Sequence, residues 1–200
     1  MLNICKKNSI EVGLDEVARG CMFGRVYTAG VVWPEDYIED KKYEIKDSKK
    51  LSKKKREELY YYIIDNAIDW NVNYIESQEI DKINILNATM KSMHTNIDNL
   101  LLDVEHILVD GTNFNYYKDI EHTCVVKGDD TYYNIAAASI IAKVEHDWYI
   151  EELCKKNPDL NEKYDLLNNM GYGTKNHMDN IKKYGISEYH RKSFGICKNY

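Results

Sequence analysis

The chain of 200 residues is 44% hydrophobic and 30% charged, which suits one compact domain with appended helices and leaves little for a second domain. The formal net charge of −6 argues against a nucleic-acid partner unless positive side chains cluster locally. Because the five cysteines form no Cys-x-x-Cys pair and no apolar run approaches the roughly 20 residues of a membrane span, we expect a soluble, cytoplasmic protein without zinc, disulfides or a membrane partner.

Five short runs rich in Val, Ile, Tyr and Thr predict β-strands, and two segments with apolar residues at three- and four-residue spacing predict helices. Ser52 is a suitable cap for the first of these helices, and from Tyr132 onward the pattern is almost entirely helical. This order predicts a mixed α/β sheet covered by helices. In chain order, the elements are strands at 9–15 and 25–33, a helix at 52–66, a strand at 70–77, a helix at 84–102, and strands at 106–110 and 123–129.

Four carboxylates end, or directly follow, these apolar runs: Asp15, Glu16, Asp110 and Asp129. Ligands collect at the carboxyl ends of strands in open α/β sheets, so these residues can converge although they are far apart in sequence. Converging negative charges need a positive partner, and Mg²⁺ or Mn²⁺ prefers carboxylate oxygens. Adjacent strand residues face opposite ways, so Asp15 and Glu16 can share a metal only where the strand ends or bulges. Each acid taken alone also fits a turn-forming role.

Basic and aromatic residues predict a nucleic-acid groove. Lysine and arginine are concentrated at 41–56 and again near the end of the sequence. The stretches "GYGTKNH" (171–177) and "YHRKSFG" (189–195) add side chains that bond phosphates or stack on sugars and bases. The basic run at 47–57, taken by itself, is also typical of a solvated helix start.

Three other features have structural rather than catalytic interpretations. Ser139 lies in a small-residue helix, where we expect it to pack closely against the sheet, and the sequence contains no Gly-x-Ser-x-Gly elbow of a serine hydrolase. His177 and His190 are thirteen residues apart without a thiol or acid at ligand spacing, so we interpret them as surface or supporting groups. The segment "GCMFG" (20–24) lacks the pattern of a phosphate-binding loop and predicts a hairpin turn.

Eight short motifs occur in a fixed order: "GLDEVARG", "DSKKLS", "NILNATMKSM", "ILVDG", "VVKGD", "AAASIIAKV", "GYGT" and "HRKSF". In these motifs the sequence resembles the ribonuclease HII family over nearly its whole length. The resemblance implies an α/β, ribonuclease H-like fold, with a five-stranded mixed β-sheet flanked by helices and a helical C-terminal part. It also implies a single catalytic domain over 1–200, mainly sheet core with helices at 1–131 and helical at 132–200.

The resemblance further implies a metal-dependent endoribonuclease. Such an enzyme cleaves the RNA strand of RNA–DNA hybrids and incises 5′ of ribonucleotides embedded in duplex DNA, leaving 3′-hydroxyl and 5′-phosphate ends. Two Mg²⁺ or Mn²⁺ ions would act at the scissile phosphate, in a monomeric enzyme whose partners are these nucleic acids.

Motif positions carry the family's functional residues onto this chain. The catalytic, metal-binding acids are Asp15, Glu16, Asp110 and Asp129. The Gly-Arg-Gly element that reads the ribose 2′-hydroxyl falls on Ala18, Arg19 and Gly20, and the junction-sensing tyrosine falls on Tyr172. Phosphate contacts are expected from Lys49, Asn84, Arg191 and Ser193.

Two residues depart from the family pattern. Ala18 replaces the first glycine of the Gly-Arg-Gly element, so its methyl group would weaken junction recognition if that position needs a glycine-type backbone. His146 stands where the family usually carries arginine, which removes a permanent charge. Because neither affects the four acids, we expect activity to be retained with altered specificity. The alternative is a catalytically silent module that binds RNA–DNA hybrids, against which the cluster of negative charge argues.

Overall fold

The computed structural model describes residues 9–37, 41–46 and 48–200. Two residues considered above lie outside the described residues: Cys5, and Asp47, which begins the "DSKKLS" motif. Its strands are β1 (Glu11–Val17), β2 (Val26–Val32), β3 (Asp69–Ile75), β4 (His106–Asp110) and β5 (Glu121–Val125). They form one sheet in the order β3-β2-β1-β4-β5. The β1–β2 and β2–β3 pairs are antiparallel, whereas the β1–β4 and β4–β5 pairs are parallel. The predicted five-stranded mixed sheet is therefore confirmed.

The described part of the chain contains seven α-helices. They are α1 (Lys53–Asn66), α2 (Ser77–Ile83), α3 (Ile85–Asp98), α4 (Tyr133–Lys156), α5 (Pro158–Tyr164), α6 (Leu166–Asn169) and α7 (Lys175–Tyr184). Ser52 caps α1 as predicted, because its side chain accepts a hydrogen bond from the Lys55 backbone amide at 3.3 Å. No helix among the described residues combines the length and apolar character that crossing a membrane requires.

Both faces of the sheet are covered, and every residue of β2, which lies between β3 and β1, is buried. Tyr27, Ala29 and Val31 alternate along β2 and pack against α1 and α4 on one face. On the opposite face, apolar residues of β1 and β4 pack against α3. Burial of each large apolar side chain contributes roughly 1.5–3 kcal/mol, so a one-residue slip of a strand would be costly on both faces.

The segment boundaries differ from the sequence prediction at several points. The strand predicted at 123–129 ends at Val125, because Lys127 has a left-handed φ of +56° and the following residues form a 3₁₀ turn over Gly128–Asp130. The helix predicted at 84–102 ends at Asp98. The short helix α2 was missed, and it shortens the strand predicted at 70–77, which ends at Ile75.

Helix α4 lies unusually close to β1, and this contact positions the site. A side chain added at Gly13 would lie 2.4 Å from the backbone carbonyl carbon of Asn134, so only glycine permits this approach. The next turns of α4 contain three consecutive buried alanines followed by Ser139. The small residues therefore bring the polar side chains of α4 next to the acidic end of β1.

Candidate active site

Asp15 and Asp110 lie at one edge of the sheet, where β1 and β4 run parallel. Leu14 pairs with Val109, so the two acids are the next residues on neighbouring strands. Asp110 is the last residue of β4, whereas β1 continues through Asp15 to Val17. Only 5% of Asp15 is exposed, and the charge of Asp110 acts on it. The two strands thus bring this pair together.

Asp129 reaches the same end of the sheet from a turn rather than from a strand end. It lies in the buried part of the 3₁₀ turn that follows β5. The backbone amide of its neighbour Gly128 donates a hydrogen bond to Asp110 Oδ1 at 2.7 Å. The turn that carries the fourth acid is therefore tied to the carboxylate that ends β4.

Glu16 enters the site while β1 is still paired with β2 beside it. Asp15 and Glu16 stay in register with β2, opposite Ala29 and Thr28. The expectation that both acids can share a metal only at a strand end or bulge stays a prediction, since β1 ends at Val17, one residue beyond Glu16. Because the pairing with β4 stops at Leu14, that side of β1 is open, and both carboxylates line one cleft of about 480 Å³.

The electrostatics of this cleft favour a cation. Burial raises the pKa of Asp15 well above its usual value, and the charges of Glu16 and Asp110 raise it further. Burial also raises the pKa of Glu16, against the opposing effects of Arg19, which lies 3.3 Å from its carboxylate, and of Lys49. Ionised carboxylates in this setting lack sufficient positive charge around them.

The donor set fits a hard divalent cation, which prefers carboxylate oxygens. As placed, however, Asp15 and Glu16 line the cleft without Asp110 and Asp129. Within the described ranges, no three Asp, Glu, His or Cys side chains stand close enough to hold an ion as they are. In this arrangement the four predicted acids therefore do not form one ligand set.

Ala18 adopts a backbone conformation that favours glycine. Its φ of +66° lies in the left-handed region, which costs an alanine roughly 1–2 kcal/mol. Gly20 has no positive φ, and a side chain added there would meet nothing within 4 Å. The glycine-type position of this turn is therefore Ala18, and its substitution introduces backbone strain next to the acids. Arg19 and Gly20 line the same cleft.

Arg191 does not face the cleft, and its placement argues against the predicted phosphate contact. The side chain is fully buried and donates four hydrogen bonds of 2.8–3.1 Å to main-chain carbonyls. The acceptors are the carbonyls of Ala18, Arg19, Gly24 and Arg25. Burial lowers the pKa of Arg191 to about 10, so the side chain remains protonated near neutral pH. Arg191 therefore holds the backbone of the 18–25 segment in place through these four hydrogen bonds.

The remaining predicted contacts divide into two groups. Lys49 and Tyr172 line the cleft with the acids, and Tyr172 is 40% exposed. Asn84 instead caps α3 through its Oδ1, and Ser193 donates its hydroxyl to Asp81 on α2. The structure thus brings Asn84 and Ser193 to the end of α2 and not to the acids.

Ser139 and Lys143 are site residues that the sequence did not reveal. The Ser139 hydroxyl bonds to Asp15 and lies 3.0 Å from the hydroxyl of Ser48. Lys143, one turn later on α4, lines the cleft and pairs with Asp147 at 2.8 Å. Ser139 is not merely a packing residue as predicted. The helical spacing of Ser139 and Lys143 was a usable signal, because residues four apart share a helix face.

His146, the second departure from the family pattern, lies outside the cleft. It is fully buried and packs edge-on against Tyr27, and burial lowers its pKa. Its neighbour Asp147 pairs with Lys143 and, at 3.4 Å, with Arg56. The ionic contacts next to the cleft are thus supplied by Lys143 and Arg56.

Comparison with known proteins decides what this cleft belongs to. The family model described as ribonuclease HII matches residues 12–197. The chain belongs to the ribonuclease HII family. Ribonuclease HII of Parabacteroides distasonis is 46% identical over 196 residues, which is 98% of this chain and 95% of that protein. Ribonuclease HII of Christiangramia forsetii is 45% identical over 98% of this chain and 96% of its own length. The chain is therefore a type II ribonuclease H, an endoribonuclease of RNA–DNA hybrids.

Solved structures agree with this fold assignment. Ribonuclease H2 from Pyrococcus horikoshii OT3 is similar with a TM-score of 0.75 and 25% identity, covering 94% of this chain and 95% of that one. RNase HII of Archaeoglobus fulgidus, solved in a complex with PCNA, gives a TM-score of 0.74 at 27% identity, covering 94% and 96%. The ribonuclease H-like fold is confirmed.

Proposed function

We propose that this ribonuclease H also incises duplex DNA on the 5′ side of an embedded ribonucleotide, and that all its cleavage uses divalent cations held by Asp15, Glu16, Asp110 and Asp129. The products would carry 3′-hydroxyl and 5′-phosphate ends. One observation carries the proposal: Asp15 and Glu16 share a cleft with the turn at 18–20 and with Tyr172. Groups suited to cutting a phosphodiester and groups suited to reading a sugar lie side by side.

The acids and their partners support Mg²⁺ or Mn²⁺, and the family resemblance adds the proposal of two ions per site. Bound ions would supply a polarised phosphate, an activated water and a stabilised leaving oxygen. The chain contributes the position of the carboxylates, since the Ser139 hydroxyl bonds to Asp15 and favours its ionised form. Lys49 and Lys143 line the cleft, where their charges offset repulsion between the acids and an incoming phosphate.

Recognition of a ribonucleotide rests on the 2′-hydroxyl, the group that distinguishes RNA from DNA at a given site. The turn at 18–20 is held by Arg191 through the carbonyls of Ala18 and Arg19, so its backbone is rigid where a sugar would approach. The half-exposed ring of Tyr172 provides a surface on which a sugar or base can stack. The strained Ala18 would reduce the preference for single ribonucleotides relative to long hybrids. A monomeric state and a cytoplasmic location remain predictions.

A catalytically silent hybrid-binding module is the alternative. A module that only binds phosphates gains nothing from carboxylates such as Asp15 and Glu16, whose pKa values are raised by burial and by the charge of Asp110. Measured cleavage separates the two possibilities.

The decisive experiment measures cleavage of an RNA–DNA hybrid across a series of Mg²⁺ and Mn²⁺ concentrations. Asp15→Asn and Asp110→Asn should each lower kcat by roughly a hundredfold or more, because they remove charge from the reacting centre. Asp159→Asn is the matched control, since this carboxylate is exposed on α5 and pairs with Lys163. Full activity in both acid variants would defeat the metal-site proposal, and tight hybrid binding without cleavage in any metal would favour the silent module.

A further inference from the structure

Two histidines outside the cleft form a buried pair. His177 lies in the first turns of α7 and His190 follows that helix, and they are 0% and 1% exposed. Their Nε2 atoms are 3.2 Å apart, a hydrogen-bond distance. Among the described residues, no acid or thiol joins them in a group that could hold a metal. The contact is therefore a hydrogen bond between rings, and one ring must donate.

The outer contacts fix which ring donates. The backbone amide of Ser187 points at His190 Nδ1 from 3.0 Å, and an amide can only donate. His190 Nδ1 is therefore the unprotonated nitrogen, and the proton of this neutral ring is on Nε2. His190 Nε2–H then donates to His177 Nε2, so the proton of His177 is on Nδ1. That Nδ1–H faces the backbone carbonyl of Tyr172 at 2.9 Å.

With both rings neutral, the chain of bonds has one direction, and the Ser187 hydroxyl, 2.9 Å from His190 Nδ1, donates to the same unprotonated nitrogen as the Ser187 amide. An added proton on His177 Nε2 would face the Nε2–H of His190. The rings of Tyr164, on α5, and of Phe23 flank His190. Their centroids lie 4.7 Å and 5.0 Å from the centroid of the His190 ring. Burial lowers the pKa of both rings, that of His190 to about 3, although the charge of Asp165 acts in the opposite direction on His177.

The end of this chain is the residue that borders the cleft. The Tyr172 carbonyl accepts from His177 Nδ1 and from the Thr174 backbone amide at 2.8 Å. Tyr172 also forms an isolated antiparallel β-bridge with Cys21 of the 18–25 segment. His190 forms a second β-bridge with Phe23 of the same segment. The histidine pair thus connects Tyr172 to the segment that carries the Ala18 turn.

We propose that His177 and His190 are positioning residues that hold Tyr172 against the cleft through a hydrogen-bond chain running from Ser187 to the Tyr172 carbonyl. The inference rests on the proposed role of Tyr172 in ribonucleotide recognition. It assigns to this pair a function in substrate selection, exerted through the backbone of Tyr172 and not by contact with nucleic acid.

Nitrogen-15 NMR of the histidine rings in the whole protein tests the chain directly. At neutral pH, His190 should be protonated at Nε2 only and His177 at Nδ1 only, with a coupling across the Nε2–Nε2 hydrogen bond. The opposite assignment, or a positively charged ring in either residue, would overturn the inference without any measurement of activity.

Cleavage of a duplex with one ribonucleotide tests the consequence. His177→Phe keeps a ring but removes the bonds to His190 and to the Tyr172 carbonyl. Loss of the bond to the Tyr172 carbonyl, at the net strength of a typical hydrogen bond, should lower kcat/KM about fivefold to tenfold. His177→Asn, whose Nδ2–H can replace Nδ1–H, should recover most of that loss. In a Tyr172→Ala background, His177→Phe should add no further loss in kcat/KM, although its effect on unfolding should persist.

The outcomes are distinguishable. If Tyr172→Ala alone leaves ribonucleotide incision unchanged, the proposed role of Tyr172 fails and the inference fails with it. If Tyr172→Ala lowers incision but the two substitutions act additively on kcat/KM, the proposed function stands and the positioning role of the histidines is refuted. Equal losses in His177→Phe and His177→Asn would likewise refute it.

Discussion

Replacing Arg191 with methionine distinguishes a residue that holds the recognition turn from one that contacts phosphate. The substitution keeps an apolar stem of similar length and removes the guanidinium group. Four main-chain carbonyls, those of Ala18, Arg19, Gly24 and Arg25, then lose the guanidinium as a donor. Of these, the Ala18 carbonyl still accepts from the Cys21 backbone amide at 3.1 Å. Because the side chain is fully buried, water does not easily replace these bonds.

The expected loss of stability follows from these contacts. A hydrogen bond from a charged donor contributes roughly 1.5–3 kcal/mol, so four contribute about 6–12 kcal/mol before the cost of burying the charge is subtracted. That desolvation cost is several kcal/mol, which leaves a net loss of about 3–5 kcal/mol for Arg191→Met. In a chain of this length, 1 kcal/mol corresponds to about 2–4 °C, so Tm should fall by about 6–20 °C.

Urea unfolding and the salt dependence of hybrid binding are the two assays. The holding role predicts a large loss of stability with an unchanged slope of log affinity against log salt, since no phosphate contact disappears. Arg191→Lys keeps the charge but not the planar fork, and should lose about half as much stability. A stability loss below about 1 kcal/mol, together with a salt slope shallower by about one, would restore the phosphate contact and refute this reasoning.

Three further predictions concern the cleft itself. Ala18→Gly should change stability by less than about 1 kcal/mol, because relief of left-handed strain is offset by a looser unfolded chain and a lost methyl contact. It should nevertheless raise incision at single ribonucleotides several-fold relative to hybrid cleavage; equal changes on both substrates would contradict a role in junction sensing. Ser139→Ala removes a bond that lowers the pKa of Asp15, so the acid limb of the pH profile of kcat/KM should move to higher pH, and an unmoved limb would exclude this role. Because the pKa of Asp15 is higher folded than unfolded, stability without metal should fall as pH rises from the unfolded toward the folded pKa. Asp15→Asn should weaken that fall and stabilise the metal-free protein at neutral pH by on the order of 1 kcal/mol, measured by thermal unfolding in chelator; an identical pH dependence in both proteins would rule this out.

The adjacency of Asp15 and Asp110 was predictable because it depends on strand order and direction alone. Apolar runs located β1 and β4, and parallel strands place Asp15 and Asp110 at the same edge. The position of Asp129 was less accessible, since a single left-handed residue, Lys127, ends β5 early and converts the predicted strand end into a turn. Local periodicity carries no information about such a φ angle.

The supporting contacts were not predictable from local patterns. An arginine in a basic motif is typical of phosphate binding. Arg191 points inward instead, because it bonds to residues 18–25, which lie about 170 positions away in sequence. Ser139 resembled a packing residue because its bond to Asp15 depends on the close contact of α4 with Gly13. His177 and His190 are in contact in the folded chain although thirteen residues separate them in sequence. Each of these roles is set by tertiary contacts.

Direct Mn²⁺ binding tests the central claim, that the acids at the sheet edge form a site for the catalytic cations. Calorimetric titration of the wild-type chain should detect binding, and Asp15→Asn and Asp110→Asn should each weaken the Mn²⁺ affinity by more than about tenfold. Loss of a residue that only supports a metal ligand already lowers metal affinity by about tenfold or more, and loss of a ligand should lower it further. Asp159→Asn should bind as the wild type does. Unchanged Mn²⁺ affinity in both acid variants would contradict the account.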